Sequence, residues 1–92
     1  MISSFRCPDA EALFNGRRIA RFANIAASAL RKLAILNRAA TLDDLRVPPG
    51  NRLEKLSGDR DGQYSIRVND QWRICFGFRA GQATDVEIVD YH

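Results

Sequence analysis

Two different periods divide the chain. From Tyr64 onward apolar residues hold every second position: Tyr64, Ile66 and Val68 in "YSIRVND", Trp72, Ile74, Phe76 and Phe78 in "WRICFGF", and Val86 and Ile88 in "DVEIV". Such alternation gives each run one apolar face, as strands with one side against a core require. The separators "NDQ" and "RAGQAT" are short, which predicts an antiparallel meander. Just upstream, "RLEKLS" reads as a further strand-like run and "GDRDGQ" as a turn-rich link. The first half follows the helical period instead. In "IAASALRKLAILNRAA" the residues Ala26, Ala29, Leu30, Leu33, Leu36 and Ala40 recur at three and four spacing while Arg31, Lys32 and Arg38 fall elsewhere, predicting an amphipathic helix packed on the sheet. "PDAEALFNG" predicts a shorter helix, with Pro8 in its first turn, Ala10, Leu13 and Phe14 on one face, and Gly16 as its stop. Thr41, followed by Asp43 and Asp44, predicts an N-cap and a brief helix that cannot pass Pro48 and Pro49. Met1 to Phe5 reads as an edge strand. The segment Arg17 to Asn24, "RRIARFAN", is either the lead-in to the long helix or a mobile basic stretch, and its pattern does not choose. The fold class is therefore α+β, with helices covering the apolar face of an antiparallel sheet.

The polar positions between the apolar ones must share the opposite face: Ser65, Arg67 and Asn69, then Arg73, Cys75 and Gly77, then Glu87, Val89 and Tyr91. Arg67, Arg73 and Tyr91 on one open surface suit a phosphate clamp with a stacking ring, and equally suit the solvated side of an ordinary sheet. Strict alternation would send Asp90 and His92 towards the core. Burying such a pair is costly, so the last strand is expected to end near Val89, letting Asp90, Tyr91 and His92 gather at the sheet edge. His92 is the only histidine in the chain and the group best suited to move a proton near neutral pH.

Composition narrows the function classes. Ninety-two residues suit one domain spanning residues 1–92, and an apolar fraction of 46% with 27% charged residues is that of a globular protein. No window approaches the ~20 consecutive apolar residues of a membrane span. The start, "MISSFRCPDA", has no charged segment leading into an apolar one, so a cytoplasmic location is the expectation. Cys7 and Cys75 stand far apart without neighbouring ligands, which suggests neither a zinc site nor a disulfide framework. The net charge of +3 comes from twelve Arg and only two Lys, Lys32 and Lys55. Arg presents a planar fork matched to phosphate, so the bias leans towards nucleic acid or another polyanion.

The run "LSGDRDGQYSIRVNDQWRICF", Leu56 to Phe76, with the terminal "VEIVDYH", resembles the HigB group of the RelE-like bacterial toxins, the plasmid-maintenance killer proteins. The resemblance extends in layout over essentially the whole chain. It implies a RelE-like microbial-ribonuclease fold: an N-terminal strand and helices packed on a curved antiparallel sheet. It also implies a ribosome-dependent endonuclease that enters the A site of the 70S ribosome and cuts the mRNA being translated. A HigA-like helix-turn-helix antitoxin would silence it and supply any contact with operator DNA. No cofactor, metal or membrane is implied. By the family pattern Arg73 falls where the scissile phosphate is held, and Asp90, Tyr91 and His92 match the functional C-terminal residues. Some members carry a His and a Lys in the strand before the "GDR" turn; Glu54 and Ser57 stand there instead, with Lys55 beside them, so Glu54 becomes the candidate base and a weak nuclease is expected. Lys55, Arg60 and Arg67 would contact phosphate or ribosomal RNA, although Arg60 between Asp59 and Asp61 also suits a structural ion pair. Two rivals keep the same scaffold: a ParE-like gyrase inhibitor, and a non-catalytic module binding ribosomal RNA or protein through its Arg face.

Overall fold

Each element begins or ends where local chemistry requires it. In the computed structural model, which describes residues 1–91, helix α1 spans Pro8–Phe14. Pro8 occupies its first turn, where a missing N–H costs nothing. Beyond its end the Gly16 N–H donates to the Leu13 carbonyl and the Arg17 N–H to that of Ala12, with Gly16 at φ 90°. This pair of bonds needs a left-handed residue at Gly16, which is why the helix stops there. Helix α2 spans Ala26–Arg38 and buries Ala29, Leu33 and Leu36.

A short 3₁₀ turn, Leu42–Arg46, follows α2. It opens with a reciprocal cap: the Asp44 N–H donates to Thr41 Oγ1 (3.3 Å), while the Asp44 carboxylate accepts from the N–H groups of Thr41 (3.0 Å) and Ala40 (2.8 Å). Those two backbone donors hold the Asp44 carboxyl below its ordinary value of 3.8. A depressed folded value means that the cap stabilises the fold above the ordinary carboxylate range and is lost as pH falls through the folded value. Thr41→Ala, which removes the hydroxyl accepting the Asp44 N–H, should cost about 1 kcal/mol as the loss of an N-cap. In urea melts from pH 7 to pH 2, the stability difference between wild type and Asp44→Asn should be constant at first and vanish in acid; a difference that persists would refute this account.

The sheet is antiparallel in the order β1 (Glu54–Lys55), β2 (Gln63–Arg67), β3 (Trp72–Arg79), β4 (Gln82–Asp90). Asn69 closes the first hairpin, its Oδ1 accepting from the N–H groups of Gln71 and Trp72, both at 2.8 Å. Ala80 (φ 51°) and Gly81 (φ 78°) close the second as a two-residue turn with both residues left-handed. The helices cover one face, where Leu33, Leu36, Leu45, Ile66, Ile74, Phe76 and Val86 are fully buried.

Three expectations change in the structure. The N-terminal edge strand is reduced to isolated parallel bridges, Ile2 with Ala83 and Phe5 with Val86, although both side chains pack on the core. Ala40 lies beyond α2 and is exposed, because Asp44 captures its N–H; Leu30 is also exposed, one position off the Ala29–Leu33–Leu36 stripe. β4 starts at Gln82, ahead of "DVEIV", because a bulge at Asp85 (φ 50°) shifts its phase by one residue. Ala83 and Val86 are thus both buried although three residues apart. β4 ends at Asp90, one residue past Val89 and close to the expected end: Asp90 pairs with Trp72 in register, and beyond it the Tyr91 N–H donates to the Gln71 carbonyl at 2.6 Å. Asp90 stays exposed because it lies at the sheet end, where Gln71 Nε2 donates to its carboxylate at 3.1 Å.

The segment that pattern left undecided is ordered chiefly by one side chain, with the half-buried Ile19 beside it. Ala20–Phe22 forms a 3₁₀ turn in which Phe22 is fully buried, its ring meeting Trp72 edge-on at 5.6 Å. Between this segment, α1 and α2 lies a groove of about 570 Å³ lined by Leu13, Ile19, Ala23, Ala26 and Leu30, with Arg17 and Arg18 at its rim.

Candidate functional site on the helix-free face of the sheet

Register brings the polar positions into rows. Glu54 lies opposite Ser65, Ser65 opposite Cys75, and Cys75 opposite Glu87, so these four residues cross the sheet on one face. The next row on that face is Arg67, Arg73 and Val89. Gly77 continues the face opposite Thr84, and a Cβ on Gly77 would lie 2.6 Å from Thr84 Oγ1. Glycine there lets β3 and β4 close up beside the bulge.

This surface is far less open than alternation suggested. Ser65 and Cys75 are fully buried and Arg73 is only 8% exposed. Leu56, also buried, sits outside the helix-side core and caps this face from the end of β1. Arg60, from the "GDR" turn, reaches across to Glu87 Oε1 (2.5 Å) and Gln63 Oε1 (3.1 Å), which pins the turn over the sheet. Burial pushes the Cys75 thiol above its ordinary value and the Glu87 carboxylate adds to the rise, while Arg60 and Arg73 oppose it. Cys75 is thus a neutral packing group.

Arg73 is held at three points. Its Nε donates to Ser65 Oγ (2.8 Å), its Nη2 donates to the Arg52 carbonyl (2.6 Å), and the Glu54 carboxylate lies 3.7 Å from Nη2. The Tyr91 ring, 41% exposed, lies with its centroid 5.8 Å from the Arg73 guanidinium carbon. Glu54, Arg73 and Tyr91 are therefore brought together. Arg67 is their neighbour in register but is paired with Asp70 in the hairpin turn. Lys55 is exposed and pairs with Tyr64, which alternation puts on the helix-side face, away from Arg73. Arg60 is ion-paired, with Glu87 across the sheet and not with its sequence neighbours Asp59 and Asp61. Asp90 lies at the end of β4, and His92 falls outside the described residues.

Sequence reasoning put Ser65 and Glu87 on this face without assigning them a task. Alternation was the available signal, and their register with Cys75 is visible only in the folded sheet. The Arg52 carbonyl had none, since a backbone acceptor leaves no trace in residue type. Chemically, the assembly is a fixed cation beside a carboxylate and an exposed aromatic ring, which suits an anion carrying a planar base. Among the described residues, no group of three His, Cys, Asp or Glu side chains is placed to hold a metal ion, and no helix is long and apolar enough to cross a membrane.

Residues 14–92 match the family described as the RelE-like toxin of type II toxin-antitoxin system HigB. The chain belongs to the HigB-like toxin family. It is 53% identical over 53 residues to Toxin HigB-1 of Vibrio cholerae, covering 58% of this chain and 56% of that protein. It is 46% identical over 41 residues to Endoribonuclease HigB of Proteus vulgaris, 45% of each chain. The chain spans about half the length of the curated relatives it matches. In fold it is similar to a YoeB-YefM complex from Staphylococcus aureus, with a TM-score of 0.60, 18% identity, and coverage of 100% of this chain and 98% of that one. The HigB-like membership and the α+β RelE-like fold agree with what the "GDRDGQYSIRVNDQWRI" run implied.

Proposed function

We propose that this chain is the toxin of a type II toxin–antitoxin pair and cuts mRNA in the A site of the translating 70S ribosome. The observation that carries the reading is a nearly buried Arg73 guanidinium beside Glu54 and an exposed Tyr91 ring, in a chain of the HigB-like family. The endoribonuclease named among its relatives supports the same chemistry. The ribose 2′-hydroxyl attacks the adjacent phosphorus in line, the 2′-proton leaves, negative charge builds on the phosphorane, and the departing 5′-oxygen takes up a proton. Arg73 stabilises the phosphorane, Glu54 and His92 move the protons, Asp90 orients His92, and Tyr91 stacks on a base. Arg67 exchanges the exposed Asp70 for a backbone phosphate, which costs little because such surface pairs are worth only about 0–1 kcal/mol. Lys55 contacts ribosomal RNA from the sheet edge, and Arg60 keeps its place on Glu87. The partner is a HigA-like helix-turn-helix antitoxin, through which alone the complex touches operator DNA; the toxin acts in the cytoplasm without a cofactor.

The test is to add the purified chain to translating ribosomes and map breaks in the mRNA by primer extension. Breaks within A-site codons, absent when the same mRNA is free in solution, are the expected result. Growth arrest with intact mRNA would overturn the reading and direct attention to gyrase supercoiling, as for a ParE-like inhibitor. Ribosome binding that weakens steeply with salt, without any cutting, would leave only the binding module.

A further inference from the structure

Two fully buried polar residues, Ser65 and Asn51, have no part in the chemistry above. A hydroxyl inside a sheet is costly unless bonded, and Ser65 Oγ accepts the Arg73 Nε–H at 2.8 Å. Asn51 is tied from both ends of its amide. Nδ2 donates to the carbonyls of Leu45 (3.1 Å) and Val47 (3.3 Å), and Oδ1 accepts from Lys32 Nζ of α2 at 2.5 Å. The next residue, Arg52, adopts the left-handed conformation (φ 45°, ψ 59°), and its carbonyl accepts from Arg73 Nη2. The amide of Asn51 therefore fastens the turn that presents this carbonyl.

We propose that Ser65 and Asn51 are positioning residues for Arg73, Ser65 directly and Asn51 through the Arg52 carbonyl, together fixing which edge of the guanidinium meets a phosphate. The assignment rests on the nuclease reading. Arg is a long side chain with much rotamer freedom, and a charge that must reorient during reaction stabilises a transition state less than one already aimed. With Nε and Nη2 committed to internal acceptors, the fork turns its Nη1 edge to the ligand. The Lys32–Asn51 bond extends the same support to α2, so the helical layer sets the aim of a residue on the far side of the sheet.

The experiment compares wild type, Ser65→Ala, Asn51→Ala, Arg73→Lys and the double variant Ser65→Ala with Arg73→Lys, each at saturating ribosomes. Ser65→Ala should lower the single-turnover cleavage rate by up to about 100-fold, the scale of an ångström misplacement, with ribosome affinity unchanged. Added to Arg73→Lys it should cost nothing further, since the group it aims is gone. The Arg73 Nε–H resonance, assigned in the free protein, should be sharp in wild type and broadened by exchange in both Ser65→Ala and Asn51→Ala. Cleavage by Ser65→Ala at the wild-type rate, or an equal loss in the Arg73→Lys background, would overturn the proposal and leave Ser65 a packing residue. An unchanged Nε–H signal in Asn51→Ala would overturn the part assigned to the turn. If wild type cuts nothing while the resonance responds as expected, the nuclease reading has failed and the hold on Arg73 serves binding alone, which overturns its catalytic purpose.

Discussion

Arg73→Ala is expected to slow mRNA cleavage on the ribosome by about 100- to 1,000-fold, the usual loss when a preorganised charge-stabilising group is removed. Among the described residues Arg73 is the one cation fixed at the centre of the helix-free face; Arg60 is turned to Glu87, and Arg67 to Asp70 at the hairpin end. Among those residues no neighbouring cation is placed to substitute. The loss should lie in the rate of the chemical step, with ribosome binding carried by other basic residues. The variant should also be less stable by about 1–3 kcal/mol, because the Ser65 hydroxyl and the Arg52 carbonyl lose their donor inside the fold. Circular dichroism at the assay temperature separates the two effects: a folded variant that cuts at the wild-type rate would remove Arg73 from the chemistry. His92→Gln offers the contrast, since losing a proton-transfer group should change the pH profile of cleavage, whereas losing Arg73 should lower the rate without moving the profile.

The sheet was legible because alternation is a local property, and the residues between Tyr64 and Phe78 keep strict phase with the core. β4 was half legible for the same reason. The bulge at Asp85 resets the phase, and nothing in "GQATDVEIV" marks a left-handed aspartate before its partner strand is known. On the far face, alternation found Arg73, Tyr91, Ser65 and Glu87 but overstated the exposure of all except Tyr91. Burial there comes from segments that return from elsewhere, Arg60 from the "GDR" turn and Arg52 from the turn after Pro49. A period says which side a residue takes, and only tertiary structure says whether that side is covered. Lys55, adjacent to Glu54 in sequence, takes the opposite face of the strand, so sequence adjacency to a site residue does not place a side chain beside the site.

Phe22→Ala should remove about 3–5 kcal/mol, the range for emptying a buried aromatic site. A chain of this length has about 5–14 kcal/mol in total at roughly 0.05–0.15 kcal/mol per residue, so one substitution takes a large share. Phe22 is the fully buried anchor of a segment otherwise made of the half-buried Ile19 and exposed Arg, Ala and Asn, and its ring closes on Trp72 at the start of β3. The Phe22 carbonyl also accepts the Ile25 N–H at 3.0 Å, so the same residue fixes the approach to α2. Urea unfolding should show a lower midpoint with little change in slope. Leu30→Ala, an exposed residue of α2, should shift it by no more than about 0.5 kcal/mol. Equal effects for the two would mean that Phe22 is not the anchor. The expected inequality explains why hydrophobic spacing alone did not choose a conformation for Arg17 to Asn24: Phe22 carries most of the packing with only the half-buried Ile19 beside it, and two contacts do not set a period.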